Sequence, residues 1–106
     1  MDRKTAQVKV SSEGRVARLV LPADFRISGA KAFMATVARA MRKKPEALVF
    51  DAAPLERVDA AALQAAVVAW RALKNAGIAG RWENCPSVLI GGARLLGLAS
   101  AAGIEA

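Results

Sequence analysis

The chain has 106 residues, 55% of them hydrophobic, with one cysteine, no histidine and no tyrosine. That composition fits a single folded domain over residues 1–106, and it excludes an intrachain disulfide, a zinc site of Cys and His ligands, and a nucleophile activated by histidine. The net charge of +7 is uneven: residues 1–44 hold eleven Lys and Arg against three Asp and Glu, residues 45–106 five against six.

Gln7–Val10 alternates polar and apolar residues, as a half-buried strand does. Ser11–Gly14 is turn chemistry and Arg15–Leu21 reads as a second strand, so the two predict a hairpin that Pro22 ends. Ser28 is placed to cap a first helix. Ala30, Phe33, Met34, Val37, Ala38 and Met41 recur at helical spacing and form its core stripe, while Lys31, Arg39, Arg42 and Lys43 take the other side. Positive charge in the last turn suits the helix dipole, and Pro45 stops the helix.

Ala47–Asp51 is apolar and then acidic, the pattern of a central strand covered on both faces. Asp59 predicts the cap of a second helix, with Val58 and Leu63 as a hydrophobic staple around it. Leu63, Ala66, Val67, Trp70 and Leu73 form the buried stripe, and Gly77 suits the position after the last turn. Gln64, Val68, Arg71 and Asn75 face outward, where Val68 is the odd aliphatic member and marks a contact surface. Ile78–Glu83 reads as a strand. Trp82 within it should point away from Arg81 and Glu83, and both Trp70 and Trp82 read as core. Cys85 reads as a small buried or turn residue. Pro86–Leu98 predicts a third helix, although Gly91 and Gly92 weaken it by about 1 kcal/mol each relative to alanine. Val88, Leu89, Leu95, Leu96 and Leu98 ask for burial there. The order β-β-α-β-α-β-α predicts an α/β fold with right-handed crossovers and partly parallel pairing.

This order resembles the STAS domain, the fold of bacterial anti-sigma-factor antagonists and of the cytoplasmic ends of sulphate-transporter-like proteins. "LVFDAAPLERVDAAALQAAV" (residues 48–67) follows the family's strand, loop and second helix, Asn84-Cys85-Pro86-Ser87 its later turn, and Gly97-Leu98 its late pair. The resemblance spans residues 7–104 and implies a single-layer mixed sheet of about four strands carrying three to four helices. In the family a Ser or Thr that a kinase phosphorylates follows the second Asp. Here that position is Ala60, the next hydroxyl position is Ala61 and the glycine is Ala62, with Asp59 retained. Ala23 and Arg26 stand for the glycine and aspartate of the family's "G-x-L-D".

The resemblance therefore implies a non-enzymatic, protein-binding regulatory or scaffold module that phosphorylation at Ala60 cannot switch. Its partner site would comprise Arg57, Asp59, Ala60, Ala61, Ala62, Gln64 and Val68, with Leu55 extending the patch, and with no cofactor or metal. Partners implied are an anti-sigma-type kinase, a chemotaxis or stressosome-like component, or a second copy in a homodimer. The alternative is a STAS-like accessory subunit bound to the ATPase of a lipid-transporting ABC complex.

From composition, the basic first half suits an anionic surface. Nucleic acid is not expected, because no aromatic residue alternates with the cations and no reader motif occurs. Asp51 and Asp59 are neighbours in sequence, yet one ends a strand and the other caps a helix, which disfavours a carboxylate dyad. The start of the chain has no apolar core segment and no run of about 18 apolar residues occurs, so a cytoplasmic protein is expected.

Overall fold

The computed structural model describes the backbone of residues 7–10 and all of residues 15–104. The turn expected over Ser11–Gly14 lies outside the described residues. The elements run β1 (Gln7–Val10), β2 (Val16–Val20), β3 (Asp24–Phe25), α1 (Ile27–Arg42), β4 (Ala47–Asp51), β5 (Arg57–Val58), α2 (Ala60–Asn75), β6 (Ala79–Glu83) and α3 (Ser87–Leu95). Strands β1-β2-β4-β6 form one sheet in that spatial order. β1 and β2 pair antiparallel as a hairpin, and β2–β4 and β4–β6 are parallel, each joined by a helical crossover. The expected α/β order is therefore the observed one, with two very short strands added.

Those additions organise the molecule. β3 and β5 pair in parallel as a separate two-stranded sheet, Asp24 with Arg57 and Phe25 with Val58. The Ala23 carbonyl accepts from the backbone N–H groups of Glu56 and Arg57 at 2.7 and 3.0 Å. The loop entering α1 is thus stitched to the loop entering α2. Two residues per strand leave no alternation to read, so sequence pattern is silent about this pairing.

One face of the sheet carries Ala17, Leu19, Leu48 and Phe50, which are buried under the helices with Phe33, Val37, Leu63 and Leu73. Phe33 packs between Phe25 and Phe50 at centroid distances of 4.8 and 5.9 Å, and Trp82 stacks on Phe50 at 4.7 Å. The other face holds Arg18, Val49 and Arg81 in one row and Val20, Asp51 and Glu83 in the next. Val49 has no exposed surface yet belongs to neither apolar cluster, because its face is roofed by paired charged side chains. The central strand is covered on both sides as expected, but among the described residues by helices on one side only.

Three expectations change. α1 starts before Ser28: Arg26 holds the cap position in extended conformation, without a side-chain bond. Ala38 is exposed, and the buried line is Phe33, Thr36, Val37 and Ala40. Thr36 is tolerated there because its hydroxyl donates to the Ala32 carbonyl at 2.8 Å, leaving no buried polar atom unmet. Along α3 only Leu89 and Ala93 are buried, while Val88, Leu95 and Leu96 are exposed. α3 lies against β5 rather than across the main sheet, so one narrow i, i+4 line suffices to seat it.

α2 and α3 end alike. Gly77 and Gly97 adopt φ of +73° and +70°. The next residues, Ile78 and Leu98, return N–H groups to the Leu73 and Ala93 carbonyls at 2.9 and 2.8 Å. This is the Schellman closure, which satisfies carbonyls that a helix end leaves free.

Candidate functional site

The stitched loops bring the first turns of α1 and α2 together, and Asp59 stands between them. Its Oδ1 accepts from the Ala62 N–H at 2.9 Å, capping α2 as expected. Its Oδ2 accepts from the Ile27 N–H, at the first residue of α1, at 3.0 Å. One carboxylate therefore caps two helices, and a negative charge sits where both dipoles favour it. This second bond explains why α1 needs no cap from Ser28.

Arg26 adjoins this point. Its guanidinium grips the Asp24 carboxylate through two bonds, the longer at 2.9 Å. That pairing, with a smaller contribution from the Asp59 charge, raises the Arg26 pKa above its ordinary value. Arg57 is exposed and in no ion pair with the described carboxylates.

The three alanines differ in placement. Ala60 is exposed, Ala61 half-buried and Ala62 buried in the core. A partner can therefore touch Ala60 directly but not Ala62, whose methyl group packs inward. Gln64 and Val68 follow Ala60 at four-residue intervals and both face outward, Val68 with 51% of its surface exposed. Leu55 does not extend the patch, because it is buried at the foot of the β3–β5 pair. Ile27, bonded through its N–H to Asp59, is 71% exposed and supplies the apolar group that Leu55 does not. Reading α1 from Ser28 conceals Ile27, which then looks like a loop residue.

Asp51 belongs elsewhere. Burial pushes its carboxyl up, but bonds from the Asn84 amide, the Ala53 N–H and Arg18 outweigh this and hold its pKa below the usual carboxylate value. Arg18 also bonds Glu83 at 2.7 Å, and Arg81 bonds Glu83 from the other side. These groups form a charge-balanced roof over Val49. Asp51 and Asp59 share no partner, and the described residues contain no group of His, Cys, Asp and Glu that could hold a metal.

Trp70 and Trp82 are structural, as expected. Trp82 donates its indole N–H to the Ala102 carbonyl at 2.8 Å. Gly80 and Gly103 lie directly against the Trp70 ring. Cys85 is half-buried, and burial raises its thiol pKa. No described helix is long and apolar enough to cross a membrane.

No family model and no curated protein matches the chain. Solved structures do. One, described as "Crystal Structure Analysis of Mglu", is 23% identical over 76% of this chain and 20% of that one, with a TM-score of 0.66. Another, "The overall structure of SLC26A9", is 11% identical over 95% of this chain and 21% of that one, with a TM-score of 0.69. SLC26A9 has a STAS domain. The fold is STAS-like. This chain spans about a fifth of each matching structure, and likeness at these identities concerns the fold alone. Ala60 stands at the doubly capped start of α2 with its methyl group open to solvent.

Proposed function

We propose that the protein is a non-enzymatic, protein-binding module of STAS type, and that its partner docks over the converging starts of α1 and α2. The observation that carries this reading is the exposed line Ile27, Ala60, Gln64 and Val68 around Asp59. It combines two exposed aliphatic side chains, one small residue that allows close backbone approach, and Arg57 at its edge to pair with a carboxylate. The same point holds no hydroxyl at Ala60, so the docking surface works without a phosphorylation switch there. A phosphate at that position would add about −1.5 to −2 charges beside Asp59.

The test is affinity capture from the native host with wild type and charged variants, followed by mapping of modified peptides. Ala60→Glu and Val68→Glu are expected to lose the captured partner, while Leu95→Glu, on α3, keeps it. Equal retention by all three variants overturns the site. Phosphate on exposed Ser28, in the first turn of α1, overturns the absence of a switch; Thr36 is buried and inaccessible to a kinase.

A further inference from the structure

The charge asymmetry of the sequence becomes an asymmetry of faces. α1 and α2 contain no Asp or Glu. The described carboxylates lie in strands and loops. Asp51 and Glu83 are held by Arg18 and Arg81, Asp24 by Arg26, and Asp59 caps two helices. Glu46 faces Arg15 at 3.8 Å. On the helical layer, Arg39, Arg42, Lys43 and Lys44 close α1, and Arg71 and Lys74 lie in the last turns of α2. All six are exposed, and none forms an ion pair with a described carboxylate. Because α1 and α2 pack side by side, these cations gather at one end of one layer, away from the Ala60 end.

We propose that this end of the α1–α2 layer is an electrostatic docking surface for an anionic lipid bilayer. The helix dipoles account for some positive charge in these turns, but not for the exclusion of every carboxylate from both helices. The texture of the patch selects a lipid surface over an acidic protein. Protein interfaces rest on buried aromatic or aliphatic anchors, and the outward positions beside the four α1 cations are Ala35 and Ala38, while the aliphatic Val68, three residues before Arg71, stands on the α2 line toward Ala60. Only Arg39 has a side-chain bond among the six, a long one of 3.4 Å to the Thr36 hydroxyl. Long, unpinned cations without an anchor suit a fluid array of phosphates, which presents charge without fixed geometry. Attraction of this kind contributes roughly a fivefold change in partitioning per cation near the surface. It decays over a Debye length of about 8 Å at physiological ionic strength. This surface does not depend on the proposed protein site at the other end of the layer.

Co-sedimentation of the full chain with phosphatidylglycerol-containing vesicles, against pure phosphatidylcholine vesicles, tests it. Binding is expected to the anionic vesicles only and to fall steeply with added salt. Arg39→Gln/Arg42→Gln/Lys43→Gln/Lys44→Gln should reduce it by at least tenfold. Arg57→Gln and Ala60→Glu, both beside Asp59 at the opposite end of the layer, should each leave it within about twofold, since surface charge changes far from the patch are weakly felt. Circular dichroism and thermal melting verify that the quadruple variant folds, and Arg71→Gln/Lys74→Gln provides an independent second variant. Absence of binding to anionic vesicles at low salt overturns the proposal. So does equal binding by wild type and both variants. Tighter capture by soluble polyglutamate or by duplex DNA, at equal anion concentration, overturns the lipid assignment in favour of an acidic macromolecule.

Discussion

Replacing Asp59 by alanine tests the double cap, because two hydrogen bonds disappear with one side chain. An ordinary N-cap contributes about 1 kcal/mol, within a range of 0.5–2. The Ala62 bond at 2.9 Å is of that kind, and the Ile27 bond at 3.0 Å is a second of similar geometry on another helix. Asp59→Ala should therefore cost about 2–3 kcal/mol, the sum of two bonds to a charged carboxylate at about 1–1.5 kcal/mol each. In a domain near 100 residues that corresponds to a melting temperature lower by roughly 10–20 °C. Asp59→Ser, whose single hydroxyl reaches only its own helix, should recover about half. The cross-helix bond can be isolated with Ile27→Pro, since proline is well tolerated at the first helical position and removes only the N–H in question. Arg26 is already extended, as a residue before proline prefers. A double-mutant cycle between Ile27→Pro and Asp59→Ala, read by urea denaturation, should return a coupling of about 1 kcal/mol. Additive losses, or an Asp59→Ala cost of no more than a single cap, would refute the shared-carboxylate account.

Other outcomes follow from particular contacts. Gly103→Ala should destabilise by about 2–4 kcal/mol, because the new methyl group would run into the Trp70 ring at a residue with φ of +75°. Gly97→Ala, with φ of +70° but open space around it, should cost only about 1–2 kcal/mol; equal melting temperatures for the two variants would contradict this packing. Acid should weaken the fold through the Arg18 cluster. Bonds from Arg18 lower the Glu83 pKa, and Asn84, Ala53 and Arg18 together lower that of Asp51. Groups depressed on folding stabilise fully above their unfolded pKa of about 4 and lose that contribution as pH falls through the folded value. The stability of Asp51→Asn should thus decline less between about pH 5 and pH 3 than that of wild type, and parallel curves would count against it.

Much of the frame was legible in the chain because its signals are local. Alternation in Gln7–Val10, the unbroken apolar run of Ala47–Phe50, turn and proline signals, and helical spacing located the four main strands and three helices to within a few residues. Gly77 and Gly97 marked helix ends because only a residue without Cβ enters the left-handed region cheaply. Asp59 was legible as a cap because the cap lies three residues from the N–H that it serves. The misreadings share a cause. Ser28 looked like a cap because the true cap of α1 lies 32 residues away on Asp59. Leu95 and Leu96 looked like core because hydrophobicity does not tell which way a short helix is turned. Leu55, expected to extend the patch, is buried where β3 and β5 pair, and Ile27 stands open there instead.

The sequence by itself determined the order of elements, the cap on α2, an alanine without a hydroxyl at position 60 and the imbalance of charge. Those are properties of residue identity and of spacings within one or two turns. Only the tertiary structure decided that two loops join in a two-residue parallel pair, that one carboxylate serves two helices, and that cations in no ion pair with a described carboxylate collect at one end of the α1–α2 layer. Each of these depends on groups far apart in the chain meeting in space. The energy that joins them comes from burying the Phe25, Phe33 and Phe50 core beneath both helices, and no local signal announces which surface groups that burial will bring together.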